Sequence, residues 1–333
     1  MRKINGVPVE AHTDLSNLTG GEVLKWDSTN TLMAWEDQDS TGYIPLVWYG
    51  GRGIISGGLT PISNVIEYFP INTTGNATDF GDLTVGRYYL AACSNGSRGV
   101  IGGGEAAAYS NVIDYITVST TGNATDFGDM TAARNGIGSC SDGATGLIGG
   151  GYTSGPTRWN VIEYITIATT GNGTDFGDLT VSRNYVSALS DGTYGVFGGG
   201  EVSGSNNTID YVTIASAGNA SDFGDLSVAR QGMGSCSSNT RGVFAGGRDS
   251  EVNTIDYITI ASTGNATDFG DLTLARGLLG GLSDGTTGVF GGGGHASSNT
   301  NVLDYVTIAS TGNASDFGDL TRSGYGVAGL SGD

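Results

Sequence analysis

The side chains best suited to chemistry are scarce in this sequence. Histidine occurs twice, as His12 and His295, and cysteine three times, as Cys93, Cys140 and Cys236. Nothing pairs the histidines, and no Cys/His spacing of the kind that holds zinc or copper is present. The cysteines fall at one equivalent place in three recurring segments, where other copies carry Leu189 and Leu282. That placement reads as small buried apolar residues, with no disulfide framework. The glycine triplets are followed by no Gly-Lys-Ser/Thr and open no helix, so they are not phosphate loops. Asp-Phe-Gly, the triplet that holds magnesium in protein kinases, occurs six times without a kinase glycine loop, lysine or catalytic loop. Six copies of one triplet point to architecture. These residue types predict a chain that is not an enzyme and needs no cofactor.

Carboxylates are the abundant ionisable groups. Asp and Glu number 33 against 14 Lys and Arg, for a net charge of −19. Such a balance repels phosphates and argues against nucleic acid as a partner. Three carboxylates stand in each of six recurring units: two in Asp-Phe-Gly-Asp and one immediately before a tyrosine. Their expected work is turn hydrogen bonding and pairing with a recurring arginine. The alternative use is a Ca²⁺ site in each unit, built from Asp79 and Asp82 and their equivalents. The Asn-Ala-Thr segments at Asn76, Asn123 and Asn265 predict turns, not glycosylation sites.

The elements that carry these residues follow from the repeat. The Asp-Phe-Gly-Asp phenylalanines are Phe80, Phe127, Phe176, Phe223, Phe269 and Phe317, 46 to 49 residues apart. Twelve residues before each stands a tyrosine: Tyr68, Tyr115, Tyr164, Tyr211, Tyr257 and Tyr305. Seven residues after the first five stands an arginine, Arg87, Arg134, Arg183, Arg230 and Arg276; the sixth unit has Gly324 there and Arg322 two positions earlier. Each unit reads as four short strands. A small-residue strand such as 184–190 leads through a Ser-Asp-Gly turn to Gly-Val-Phe-Gly-Gly-Gly. An alternating Ile-Asp-Tyr run follows, and the last strand lies around Asp-Phe-Gly-Asp-Leu. Four strands in a period of ~40–50 residues are the signature of a propeller blade.

The predicted fold is therefore all-β, a six-bladed propeller over residues 50–333 behind an N-terminal segment, 1–49. The chain ends in a first strand, Leu330-Ser331-Gly332-Asp333, without its second, and residues 52–58 are a second strand without its first. Leu189 to Gly195 is six steps, and Leu330 through Asp333 and Gly51 to Gly53 is also six, so the C-terminal strand is expected to complete the blade begun at residue 52. Closure of this kind removes open sheet edges. A β-solenoid or triple-stranded fibre shaft is the alternative, and it leaves the matching ends unexplained.

Departures from the repeat mark the candidate sites. Length variation concentrates between the second and third strands, in loops 59–63, 105–110, 152–159, 201–206, 248–252 and 294–300. They carry Tyr109, Tyr152, Arg158, Trp159, Arg248 and His295, the candidate recognition residues. Trp26, Trp35 and Trp48, in the N-terminal segment, are the candidates for a small core or docking surface. The opening Met-Arg-Lys-Ile-Asn-Gly-Val-Pro-Val-Glu has no signal-peptide apolar stretch, and no apolar run is long enough to span a bilayer. Folding in a cytoplasm, without membrane insertion, is expected.

The unit Arg…Ser-Asp-Gly…Gly-Val-Phe-Gly-Gly…Ile-Asp-Tyr…Phe-Gly-Asp-Leu resembles a kelch repeat, with Phe where kelch usually has Trp. Within residues 1–49, the stretch from Asp14 to Asp27 followed by Met33-Ala34-Trp35 resembles a hairpin module of bacteriophage tail fibres. The Asn-Ala-Thr-Asp-Phe-Gly-Asp-Leu-Thr copies are similar to those of structural proteins of marine tailed phages. The resemblance implies a virion protein, assembled in the host cytoplasm, that docks to other virion proteins through residues 1–49, with a homotrimer among the expected forms. Its propeller would then serve adhesion to a host-surface glycan or protein, or decoration of the particle. The alternatives are a cellular kelch-type protein-binding scaffold and a carbohydrate-active propeller enzyme.

Overall fold

The computed structural model describes residues 50–333 apart from 156, 249–251 and 296–297, together with the backbone of 3–4, 7–8, 23–27 and 32–36. The chain divides into two units, Met1–Ile44 and Pro45–Asp333. In the first, Lys3–Ile4 pairs with Val7–Pro8, and Val23–Asp27 forms an antiparallel hairpin with Leu32–Glu36. Trp26 stands opposite Met33 and Trp35 opposite Leu24 in that hairpin. Trp48 lies outside the described residues.

The second unit is a propeller of six four-stranded antiparallel blades, and among the described residues there is no helix. Blades are numbered here by their second strands: Arg52–Ser56, Arg98–Gly102, Thr145–Gly149, Tyr194–Gly198, Arg241–Ala245 and Thr287–Gly291. Blade 4 shows the pattern, running as a meander through Ser187–Ser190, Tyr194–Gly198, Thr208–Thr213 and Ser221–Asp225. The second strands are buried at four of five positions because neighbouring blades cover both faces. Third strands alternate more, with an exposed residue at the outer end.

The first strands of successive blades touch one another around a complete circle. Blade 1 obtains its first strand, Ala328–Gly332, from the C-terminal end, antiparallel to Arg52–Ser56. Leu330 faces Ile54 there, as Leu189 faces Val196 in blade 4, which is the register the sequence spacing requires. Across the gap that replaces the tight turn, the Asp333 Oδ1 accepts from the Gly51 N–H at 2.6 Å.

Each interface between neighbouring blades holds its own apolar cluster. Between blades 4 and 5, Leu189, Val196, Ile209, Phe223 and Leu226 meet Met233, Phe244, Ile258 and Ile260. Fully burying one such side chain is worth ~1.5–3 kcal/mol. All six Asp-Phe-Gly-Asp phenylalanines are buried in these clusters. Each also meets the tyrosine twelve residues earlier edge-on, with centroids between 5.9 and 6.4 Å.

Two expectations change in detail. Residues 184–186 are not strand: the strand starts at Ser187, because the preceding residues turn sharply at the axis. The Asn-Ala-Thr segments are more than turns, since each covers the outer edge of the preceding blade. Gly122 and Ala124 N–H groups donate to the Phe80 and Asp82 carbonyls, and the Asn123 Oδ1 accepts from the Asp82 N–H at 3.1 Å. The same asparagine bond recurs at Asn76, Asn172, Asn219, Asn265 and Asn313. The carbonyl of Gly122 approaches so closely that a Cβ on Gly81, at φ +149°, would lie 2.4 Å from it. That is why the third residue of the motif is glycine.

Candidate functional site

In a meander propeller the linkers entering each first strand and the loops between second and third strands share one face. Here that face is fixed from below by a buried ion pair in each of blades 2–6. In these five blades the carboxylate before the tyrosine pairs with the arginine of the incoming linker: Arg87–Asp114 at 2.5 Å, Arg183–Asp210 at 2.8 Å, Arg230–Asp256 at 2.6 Å, Arg276–Asp304 at 2.7 Å, and Arg134 with Glu163. Burial pulls the pKa of Arg87, Arg134, Arg183 and Arg230 down, opposed at Arg87, Arg183 and Arg230 by the carboxylate. The four aspartates also accept from a hydroxyl at the end of the preceding blade, as Asp210 does from Thr180 at 2.6 Å, and Glu163 accepts from the Thr131 N–H. The expected pairing of this acid with the recurring arginine is what the structure contains.

Two residues beyond each arginine position the chain takes a left-handed conformation at Tyr89, Gly136, Tyr185, Gly232, Leu278 and Gly326, with φ between +53° and +68°. Their backbones form a closed circle around the axis. Each N–H donates to the carbonyl of the preceding member, at 2.6–2.9 Å, and Tyr89 donates to Gly326 to complete it. Large and small residues alternate because each large side chain lies over the preceding glycine: the Tyr89 ring comes within 2.6 Å of where a Gly326 Cβ would be. Three non-glycine residues held at positive φ cost of order 1 kcal/mol or more each. Tyr89, Tyr185 and Leu278 line a smaller cavity that shares Leu90, Ile137 and Val186 with an axial channel of about 180 Å³ lined by the first strands.

Around this circle lies an aromatic floor. Tyr89 meets Tyr88, Tyr185 and Tyr325 at centroid distances of 4.7, 5.0 and 6.1 Å. Tyr109 meets Tyr152 edge-on at 6.1 Å. The rim is polar: the Arg248 guanidinium lies 5.2 Å above the Tyr185 ring, and Arg158 pairs with Glu201 at 2.7 Å while lying 5.8 Å above Tyr152. The Asn135 amide donates to Glu105 at 2.7 Å. Burial, with a hydrogen bond to Glu105, pushes the Tyr88 hydroxyl up to about 12. Burial raises Tyr89, Tyr109 and Tyr185 as well.

Of the candidate recognition residues, Tyr109, Tyr152, Arg158 and Arg248 therefore lie on this face and contact its tyrosines. Trp159 is half-buried, with its ring over Arg134 at 5.4 Å and its indole N–H donating to Thr153. His295 lies in a two-residue ladder with Ser298–Asn299, and its side chain is outside the described residues. Asp79 is exposed, and among the described residues no three His, Cys, Asp or Glu side chains gather as a metal site. The cysteines are buried in the blade interfaces, and burial raises the Cys93 thiol to about 12. Tyr88, Tyr89, Tyr185, Tyr325 and Glu105 are additions to the candidate set. The alternation of large residues with glycine, two positions after the arginine, was the signal for Tyr89 and Tyr185. No protein-family model and no curated protein matches the sequence.

Proposed function

We propose that the chain is a recognition protein whose propeller, kelch-like in its repeat, binds a host-surface glycan through the tyrosine-floored axial face and is carried on a phage particle by residues 1–49. The observation that carries the binding role is the aromatic floor itself. Tyrosine rings stack on sugar faces, and the acids, amides and guanidinium groups around them supply hydrogen bonds to hydroxyls. A site held on a ring of buried ion pairs loses little conformational freedom on binding. The strained Tyr89 and Tyr185 support the reading, because strain of this kind is retained where a side chain has work to do. The particle role rests on the resemblance of the N-terminal hairpin and the repeat to phage appendage proteins.

The test is binding of the full chain to an array of bacterial surface polysaccharides and to intact host cells. Saturable binding that falls at least about tenfold in a Tyr109→Ala/Tyr152→Ala variant is expected. A flat array together with no cell binding removes the adhesion reading. Purified particles lacking the chain would remove the virion role.

A further inference from the structure

Blades 2 and 4 carry the same loop on the axial face, and their difference is informative. Glu105-Ala-Ala-Ala-Tyr109 and Glu201-Val-Ser-Gly-Ser205 fold alike: Glu105 bridges to Tyr109 and Glu201 to Ser205, and the N–H two residues before each bridge partner's neighbour closes the same short turn, Ala106 to Ala108 and Val202 to Gly204, both at 3.0 Å. Each glutamate backbone also pairs with the linker, Glu105 with Tyr88 and Glu201 with Asn184.

The charge environments differ. Glu201 is neutralised by Arg158, reaching over from the loop of the preceding blade. The loop preceding Glu105 is Leu59-Thr60-Pro61-Ile62-Ser63 and contains no cation. Among the described residues, the Glu105 carboxylate accepts from the neutral Asn135 amide, and its backbone pairs with that of Tyr88. The other cations of the face are occupied, Arg158 by Glu201 and Arg248 on the Tyr185 ring. The side chains flanking the acid have changed to aromatic at the same time: Tyr88 stands where blade 4 has Asn184, and Tyr109 where it has Ser205, with Tyr152 packed edge-on against Tyr109.

We infer, resting on the recognition role above, that Glu105 with Tyr88, Tyr109 and Tyr152 is a subsite for an organic ammonium group on the ligand. A half-buried carboxylate without a counterion attracts a cation, and electron-rich ring faces favour a soft, weakly hydrated one. A divalent metal is a poor fit, because it takes six or more oxygen ligands and this site offers one carboxylate among rings. An amino sugar or a choline-bearing surface polymer has the required chemistry.

The experiment is titration of the full chain with choline and with glucosamine, read by tyrosine chemical shifts or calorimetry, against 3,3-dimethylbutanol and N-acetylglucosamine as uncharged counterparts. Saturable binding of the cations is expected, about tenfold tighter than the uncharged pair. Glu105→Gln, which keeps an acceptor for the Asn135 amide and removes the charge, should lose that preference, and Tyr109→Ser, which installs the blade 4 residue, should weaken it. Absence of cation binding, equal binding of the uncharged counterparts, or an unchanged preference in Glu105→Gln overturns the subsite. Glycan or cell binding that persists while the cations fail to bind removes this subsite alone; loss of both removes the recognition role as well.

Discussion

Blade 1 and blade 4 have the same four strands but reach them differently. Blade 4 is continuous: an Asp191 turn, accepting the Thr193 and Tyr194 N–H groups at 2.8 Å, ties its first strand to its second. Blade 1 is assembled from opposite ends of the unit, and only hydrogen bonds and packing hold Ala328–Gly332 against Arg52–Ser56. Its buried staple also departs from the pattern. Arg322 leaves the chain two residues before the usual position, yet it donates to the Gly57 and Val65 carbonyls, the equivalents of the Gly103 and Val112 carbonyls that Arg87 reaches. Its Nε is 3.6 Å from the Glu67 carboxylate and its side chain is 22% exposed, whereas the Arg183–Asp210 pair is fully buried at 2.8 Å. A six-blade ring thus tolerates a chain break and an offset staple in one blade, provided the side chains converge on the same backbone acceptors.

The largest effect should come from removing residues 322–333. Blade 1 would lose its first strand and with it the burial of Val327, Ala328 and Leu330, a loss of several kcal/mol. The second strand, Arg52–Ser56, would become an exposed edge. Circular dichroism melts and light scattering should show loss of the cooperative transition and aggregation. A truncated chain that melts like the intact one would mean that the C-terminal strand is dispensable and the circle is not sealed there.

The staples offer the next contrast. Arg183→Ala leaves Asp210 buried without its charge partner and should cost about 3–5 kcal/mol in chemical denaturation. Arg322→Ala removes a longer contact from a partly solvated arginine and, although Glu67 stays buried, should cost less, about 1–3 kcal/mol. Equal losses would show that the offset arginine does the full work of the regular one.

The repeat made the fold legible because each blade interface is the same apolar problem solved six times. Phe80 and its equivalents, Tyr68 and its equivalents, and the acid before each tyrosine all fill identical positions, so periodicity alone placed them. The closure was legible too, from the spacing between Leu330 and Gly53. The site was only partly so. Loop-length variation points to Tyr109, Tyr152, Arg158 and Arg248, but the small-residue pattern of 184–190 puts Tyr185 in a strand. Its left-handed turn exists only because six backbones, far apart in sequence, meet at the axis. Rarity singled out Trp159, whose ring lies over Arg134, inside its own blade. The importance of Glu105 is invisible without knowing which glutamate Arg158 reaches.

The smallest expected effect tests whether edge protection also differs between the two kinds of blade. Asn76, in blade 1, caps the outer edge of blade 6 by accepting from the Asp319 N–H at 3.0 Å, and Asn219, in blade 4, caps blade 3 through the Asp178 N–H at 3.1 Å. Both bonds lie at exposed positions with the same geometry, and neither involves the C-terminal strand. Asn76→Ala and Asn219→Ala should therefore each cost about 0.5–1.5 kcal/mol, the net value of one hydrogen bond. Amide exchange at Asp319 and at Asp178 should quicken by the same factor. A markedly larger loss for Asn76→Ala would mean that the assembled blade depends on contacts at its outer edge as well as at its axis, and that the weakness of blade 1 extends beyond the chain break.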